Sequence, residues 1–412
     1  MISRLSKSKL FKDSIIYGLS NAFYTGLPLL LMPFLVAILK PEDYGLIELF
    51  RSLTLILIPI VGLSTLSSVD RFYFDNNKND YEKLISTLII FHFINGIVIF
   101  ILISIFSSFL SDKYFILCVY ALIYCVFNQI FEIYLVILRV KQKALNFLVL
   151  RFLGVAIDLG LLFGFYYILD VHDWKYRVYP SVISSVIAGL LIVFLLFIRE
   201  RMPFKFNLKA LKESVIFSAP LIIHMISGYI LNLSNRFFIL NYQGETELGN
   251  FSLAFQIGMA ISFVYTSFNM AWTPTFYDWM NKQKFNQIKK VRVLIYSILI
   301  IGGILLFISW LIMSKYIPNL EKFNISSLTI AILLSSFILL SLYKFEGNYF
   351  FYRKTTSKLS IYTFISCVVA VILNFIFIPK YSTLGAAIST FFSYLTLYLL
   401  VLLNNKNEKV NI

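Results

Sequence analysis

Ionisable side chains inside long apolar stretches are the first feature of this sequence that could do chemistry. These residues are Arg51, Glu132, Asp158, His224 and Arg236. A charge at the centre of a bilayer costs about 2.5–3.5 kcal/mol on insertion scales, so such residues usually serve a binding or transport pathway. A guanidinium group can hold a phosphate through two parallel hydrogen bonds, whereas a buried carboxylate either pairs with a cation or takes up a proton. We therefore expect anion binding at the arginines and ion coupling at Asp158 and Glu132.

Simpler interpretations exist for several of the charged residues. Arg236 lies about one turn before the outer end of its apolar stretch, so it could reach the interface by snorkelling instead of binding a ligand. Arg51 lies deeper, which favours a cavity. His224 is either a packed side chain or a protonation site. Arg151 and Lys344 lie near the ends of their stretches, and we expect both to snorkel.

The composition sets the class of protein that must position these residues. Of the 412 residues, 59% are hydrophobic and only 14% are charged, against about 25% charged in soluble domains. These values exclude a soluble enzyme, a disulfide-rich secreted scaffold and a disordered chain. The three cysteines (Cys118, Cys125 and Cys367) fall in apolar runs without the spacing of metal ligands. We interpret them as small buried side chains and predict no metal or cofactor.

Apolar stretches of about 20 residues are the expected units of structure, because that length crosses a bilayer as a helix. We predict twelve spans: 15–39, 45–69, 85–110, 114–138, 148–169, 180–198, 214–240, 248–272, 292–313, 325–344, 359–378 and 384–403. The longest polar connection, 199–213, separates the sixth span from the seventh. The expected fold is an all-α integral membrane protein with two six-helix lobes, residues 1–205 and 206–412.

The net charge of +15 would suggest nucleic acid in a soluble protein, but here it predicts orientation. With the N-terminus in the cytoplasm, about 25 of the 36 lysines and arginines fall on the cytoplasmic side and about 7 outside. We therefore expect cytoplasmic N and C termini, a multi-pass protein of the bacterial inner membrane, and no nucleic-acid partner.

A weak internal repeat supports two halves of the same orientation. Aligning Gly45 with Gly249 also aligns Phe72-Tyr73 with Phe276-Tyr277. Halves with an even number of spans are related by an axis along the membrane normal. We expect both glycines to open their helices at tight hairpin tips, and Pro379 to end the eleventh span.

Three groups of motifs resemble a known family. They are the segment 373–381 followed by Leu384-Gly385-Ala386-Ala387-Ile388-Ser389, the tips 43–46 and 248–254, and Trp272-x-Pro274-x-Phe276-Tyr277. Together with the twelve spans, they resemble the Wzx-type polysaccharide and O-antigen flippases of the multidrug/oligosaccharidyl-lipid/polysaccharide (MOP) exporter superfamily, which have a MATE-like fold. The glycine and alanines in these motifs also suit close helix packing.

The resemblance implies a transporter, not an enzyme. Its cargo would be an undecaprenyl-diphosphate-linked oligosaccharide, a precursor of O antigen or capsule, moved across the cytoplasmic membrane by alternating access with proton or sodium coupling. Membrane lipids and other polysaccharide-assembly proteins are the further partners implied. In this superfamily spans one, two, seven and eight line the cleft. The residues that would then face the cavity are Asn21, Arg51, His224, Asn232 and Arg236.

Two other functions remain open at the level of sequence. A MATE-like extruder of drugs or metabolites would have the same fold, although cationic drugs favour acidic cavities over arginines. A membrane-embedded polysaccharide polymerase or glycosyltransferase would need converging catalytic groups, commonly on a large external loop. The external connections here are short; one of the longer ones, 170–179, has ten residues.

Overall fold

The computed structural model describes residues 9–75, 77–316 and 319–409, and all regular structure in these ranges is helical. Some side chains inside the helices, including those of Asn21 and His224, lie outside the described residues. The α-helices are α1 Lys9–Ile38, α2 Pro41–Gly62, α3 Leu66–Asp75, α4 Lys78–Ile105, α5 Asp112–Val140, α6 Ala144–Tyr167, α7 Lys175–Phe194, α8 Leu208–Gln243, α9 Glu245–Asn281, α10 Phe285–Met313, α11 Ser327–Tyr352 and α12 Thr356–Lys409.

The helices have the length and surface of membrane-spanning segments. Ten stretches of the described chain are long and apolar enough to cross a bilayer. On α10 many outward side chains are aliphatic and more than half exposed, as with Val293 at 60% and Ile301 at 56%. A protein in water rarely exposes so continuous an apolar surface, whereas such a surface is favourable in contact with lipid. The predicted all-α membrane fold is therefore confirmed, while the exact number of twelve spans stays a prediction.

The last two predicted spans form a hairpin within α12. The helix continues through Pro379 and turns at Ser382, whose φ of 50° and ψ of −130° are not helical. The expectation that Pro379 ends the span is therefore wrong by about one turn. A Cβ on Gly385 would lie 2.2 Å from the carbonyl oxygen of Phe377, so the absence of that Cβ permits the close turn.

The chain divides into two compact units. The N-terminal unit comprises residues 1–25 and 49–226, and the C-terminal unit comprises residues 26–48 and 227–412. The helices α1, α2 and α8 each contribute residues to both units. The predicted lobe boundary at 205/206 stays a prediction.

In the N-terminal unit, α5 is the central helix and contacts α3, α4, α6 and α7. Its core is aliphatic: Leu84, Ile85 and Leu88 of α4 pack with Ile130 and Ile133 of α5, all at most 1% exposed. Burying such side chains from water contributes about 1.5–3 kcal/mol each, but in a bilayer close packing contributes instead. This unit therefore gives a rigid frame for charged residues on α5, α6 and α7.

In the C-terminal unit, α11 is the central helix and contacts α9, α10 and α12. The ring of Trp272 stacks on Phe345 with centroids 6.0 Å apart, and Phe276 meets Tyr349 edge-on at 4.8 Å. The Trp-x-Pro-x-Phe-Tyr motif is therefore a packing surface between α9 and α11.

The first turns of α2 and α9 meet backbone to backbone within the C-terminal unit. A Cβ on Gly249 would lie 1.8 Å from the carbonyl oxygen of Pro41, and one on Gly45 would lie 2.4 Å from that of Glu245. Both glycines stand inside their helices and do not open them, which corrects the expectation from sequence. Their role is to let two helices touch where any side chain would separate them.

Candidate functional site

A buried ion pair joins α5 to α6 in the N-terminal unit. Arg151 pairs with Glu132 through Nη1 and Oε1, and Nη2 lies 3.4 Å from Oε2, so the guanidinium faces the carboxylate with both nitrogens. The same guanidinium lies over the Tyr24 ring, 4.3 Å from its centroid. Arg151 is 8% exposed, so the expectation that it snorkels is wrong. The negative charge of Glu132 offsets part of the desolvation cost of burying Arg151.

A second ion pair joins α6 to α7. Arg177 Nη1 lies 2.9 Å from Asp158 Oδ1, and the hydroxyl of Ser184 donates to the same oxygen over 3.4 Å. A buried carboxylate was expected either to pair with a cation or to take up a proton, and Asp158 pairs with Arg177. Arg177 lies in the segment 170–179 that was expected to be an external connection, but α7 begins at Lys175 and includes this residue.

Tyrosines bring the two ion pairs into one group. The hydroxyl oxygens of Tyr24 and Tyr124 are 3.5 Å apart, and Tyr24 lies within electrostatic range of Glu132, Arg151 and Asp158. Glu132 and Asp158, predicted separately as ion-coupling candidates, therefore share one buried environment. We call Tyr24, Glu132, Arg151, Asp158 and Arg177 the N-terminal charge cluster. Moving a proton or cation onto one carboxylate would release its arginine.

A separate group of charges lies within the C-terminal unit. Arg236 Nη2 lies 3.6 Å from Glu48 Oε2, and both side chains are nearly fully buried at 5% and 6% exposure. Arg236 also lies over the Phe255 ring at 4.5 Å and donates through Nη1 to the carbonyl oxygen of Asn232 over 3.1 Å. The side-chain oxygen of Asn232 accepts from the Tyr394 hydroxyl. The snorkelling alternative for Arg236 is therefore wrong, because its guanidinium is held inside the protein.

Glu346 is a buried carboxylate that was not among the residues predicted from sequence. It is 0% exposed, and its Oε1 accepts from Arg292 Nε at 2.7 Å and from the Tyr296 hydroxyl at 2.9 Å. Asn405 Nδ2 donates to Oε2 over 3.1 Å. On the same helix, Lys344 donates to Ser262 and is mostly buried instead of snorkelling.

A sequence signal for Glu346 was present. Phe131-Glu132 near the end of α5 and Phe345-Glu346 near the end of α11 are each followed by an arginine seven residues after the glutamate, Arg139 and Arg353. This repeat lies at the ends of the fourth and tenth predicted spans, where Glu132 is inside its span and Glu346 is two residues past the end of its own. The tenth span is the fourth span of the second half, so the two segments occupy corresponding places if the chain consists of two equivalent halves.

The remaining predicted residues are placed only in part. Arg51 is half-buried on α2, in the portion that belongs to the N-terminal unit. Arg236 and Asn232 lie together one turn apart on α8, whereas the side chains of Asn21 and His224 lie outside the described residues. Cys125 and Cys367 are buried free thiols, and Cys118 is partly buried. In the described residues, no group of three or more histidine, cysteine or acidic side chains could hold a metal ion.

Comparison with known proteins gives matches over most of the chain. The family described as "Polysaccharide biosynthesis protein" matches residues 10–280. A protein of the Lsg locus of Haemophilus influenzae is 23% identical over 378 residues, covering 88% of this chain and 90% of that protein. An uncharacterised membrane protein of the same organism is 23% identical over 402 residues, covering 92% and 94%.

Two solved structures share the fold. The lipid II flippase MurJ in an inward closed conformation superposes with a TM-score of 0.73 at 16% identity, covering 93% of this chain and 87% of MurJ. An inward-facing MATE multidrug transporter of the MOP superfamily superposes with a TM-score of 0.69 at 18% identity, covering 93% and 95%. The predicted resemblance to MOP-superfamily exporters and the predicted multi-pass location in the bacterial inner membrane are confirmed.

Proposed function

We propose that this chain, which belongs to the polysaccharide biosynthesis protein family, is a flippase for lipid-linked oligosaccharides. Its cargo is an undecaprenyl-diphosphate-linked repeat unit, a precursor of O antigen or capsule, moved from the inner to the outer leaflet by alternating access. The proposal includes twelve spans, two lobes (1–205 and 206–412) and cytoplasmic termini. The supporting observation is the set of buried ion pairs in apolar helices of a MurJ-like fold.

Cargo binding is assigned to the arginines and their neighbours. Arg51 and Arg236 supply guanidinium groups for the diphosphate, with Asn21, Asn232 and His224 as polar neighbours for the sugar. The contact between Arg236 and Glu48 at 3.6 Å is looser than a hydrogen-bonded salt bridge. A diphosphate can therefore compete with Glu48 for this arginine. Release of the diphosphate would return Arg236 to Glu48.

Ion coupling is assigned to the N-terminal charge cluster. Glu132 and Asp158 each hold an arginine within the membrane-spanning helices. Occupation of one carboxylate by a proton or sodium ion changes the charge of the cluster by one. That change biases the packing of α5, α6 and α7.

A deletion strain tests the proposed function. Without the protein, surface polysaccharide should disappear while lipid-linked repeat units accumulate on the cytoplasmic side, and a plasmid copy should restore export. Normal surface polysaccharide in a strain without a redundant exporter would contradict the proposal. Restored drug efflux instead of glycan export would support the extruder, and sugar transfer by the purified protein would support an enzyme.

Exchange of each carboxylate for its amide tests the coupling step. In vesicles that contain the lipid-linked substrate, Asp158→Asn and Glu132→Gln should make transport independent of the proton or sodium gradient that drives the parent. Asp170→Asn is the matched control, because Asp170 lies on an exposed loop with its side chain 90% exposed. Parental transport that is indifferent to both gradients would remove Asp158 and Glu132 from this role, and would also exclude His224 as a protonation site for coupling.

A further inference from the structure

The second membrane-spanning segment is interrupted between α2 and α3. The α-helix ends at Gly62 and resumes at Leu66, and the intervening Leu63 and Ser64 have φ values of 45° and 54°. Two consecutive residues with side chains in the left-handed region are unfavourable. Inside a membrane, such a break persists only where the freed backbone groups find partners in the protein.

Amide side chains from two neighbouring helices hold the break. Asn95 of α4 donates through Nδ2 to the carbonyl oxygens of Ile60 (2.9 Å) and Val61 (2.8 Å). Gln129 of α5 donates through Nε2 to the carbonyl oxygen of Ile58 over 2.8 Å. These carbonyls belong to the last turns of α2, where helices have orphan acceptors.

The surrounding residues fit this arrangement closely. The Thr65 hydroxyl donates to the carbonyl oxygen of Gly62 over 2.6 Å, and His92 Nε2 lies 3.5 Å from that hydroxyl. A Cβ on Gly62 would lie 2.8 Å from Gln129 Nε2, so a side chain at position 62 would displace the amide from its present place. The break is therefore built by residues of three helices, α2, α4 and α5, and of the turn itself.

The broken form also leaves buried acceptors unsatisfied. Gln129 Oε1 and His92 Nδ1 have no hydrogen-bond partner among the described residues, although Gln129 is 2% exposed and His92 is 0% exposed. The backbone strain and the two orphan acceptors oppose the four hydrogen bonds that hold the break. A segment with such opposing contributions is suited to two conformations of similar free energy.

We propose that residues 63–65 are a hinge at which the second span alternates between this broken form and a straighter helix, and that Asn95 and Gln129 are the positioning residues that hold the broken form. A bend here changes the direction of α2 relative to α3. The link from this hinge to cargo movement rests on the proposed function, whereas the hinge itself does not.

Distance measurement tests the hinge independently of transport. Spin labels at Leu55→Cys on α2 and Phe74→Cys on α3, in a chain whose three native cysteines are replaced, report the angle between the two helices. We expect two distance populations. Asn95→Leu with Gln129→Leu should shift them to the longer distance, and Leu63→Gly with Ser64→Gly to the shorter one, because glycine tolerates positive φ. A single distance that is the same in all three proteins would overturn the proposal.

Transport by the glycine variant distinguishes a moving hinge from a fixed bend. Leu63→Gly with Ser64→Gly relieves strain in the broken form, so its thermal stability should equal or exceed that of the parent while its transport rate falls. The control, Leu55→Gly with Ile56→Gly, places glycines in the regular helix and should lower stability instead. Unchanged transport by the hinge variant would mean a fixed bend. Absence of transport in the parent would reject the proposed function and leave the distance result valid.

Discussion

Arg236 and Glu48 form a buried ion pair in which the stability of each charge depends on the other. Each side chain is about 5% exposed and the two lie 3.6 Å apart. Removing one partner of a buried pair leaves the other charge without compensation, which costs about 3–5 kcal/mol. Replacing both removes the two charges together, so neither one is left facing a neutral side chain. The pair therefore predicts strong non-additivity between substitutions at the two positions.

We expect Glu48→Gln to lower the free energy of unfolding by about 3 kcal/mol, and the double variant Glu48→Gln with Arg236→Gln to recover most of that loss. Thermal unfolding of the purified protein in detergent measures the change. Asp278→Asn is the matched control, because its pair with Lys282 is exposed and such pairs contribute about 0–1 kcal/mol. Simple addition of the two single effects would contradict the buried pair.

Arg51 is the residue at which cargo binding is tested most directly. Arg51→Ala should reduce export of the lipid-linked oligosaccharide, by about tenfold or more if one charged hydrogen bond to the diphosphate is lost. Arg51→Lys should restore part of the rate, because lysine keeps the charge but not the paired geometry. Membrane abundance should be unchanged in both. Arg71→Ala, at an exposed residue, is the control. Export at the parental rate by Arg51→Ala would exclude this role.

At the scale of helices, the contact between Gly45 and Gly249 fixes the distance between α2 and α9. A Cβ at Gly249 would lie 1.8 Å from a carbonyl oxygen of the facing helix, and backbone cannot rotate away as a side chain can. The two glycines occupy equivalent places in the internal repeat. Each therefore removes the side chain that would separate the two first turns.

Gly249→Ala should therefore lower stability by about 2–3 kcal/mol through overpacking. Gly302→Ala on α10 provides the opposite expectation, because nothing lies within 4 Å of its Cβ and alanine favours helix by up to about 1 kcal/mol. Unfolding temperature in detergent measures both. Equal effects of the two substitutions on the unfolding temperature would show that α2 and α9 can move apart without loss of stability.

At the scale of the whole molecule, orientation follows from charge. Single cysteines at Phe204 and Tyr316, which are 72% and 79% exposed, lie on opposite sides of the membrane in the predicted topology. In spheroplasts of a strain carrying a chain without native cysteines, a membrane-impermeant maleimide should label Tyr316→Cys and spare Phe204→Cys until the cells are lysed. Labelling of Phe204→Cys in intact spheroplasts would reverse the topology.

Hydropathy predicted the helical membrane fold and short motifs predicted the family, but hydropathy misplaced charged residues near the ends of helices. Arg177 and Glu346 were assigned to loops because a window of apolar residues stops at the first charge. In the structure each lies in a helix beside an opposite charge from a neighbouring helix. Neutralisation by a partner distant in sequence is invisible to any local pattern. For the same reason Glu48, about 190 residues before Arg236, could not be identified as its partner.

The division of the chain into units has a consequence for its synthesis. Residues 26–48 belong to the C-terminal unit, yet they leave the ribosome before nearly all of the N-terminal unit. At about 5–20 residues per second, Glu48 enters the membrane roughly 10–40 s before Arg236 is made. During that interval the insertion machinery or neighbouring helices must shelter the carboxylate, or it must carry a proton. This ion pair is therefore completed only when α8 inserts, and a chain that stops before α8 lacks the arginine that faces Glu48 in the finished fold.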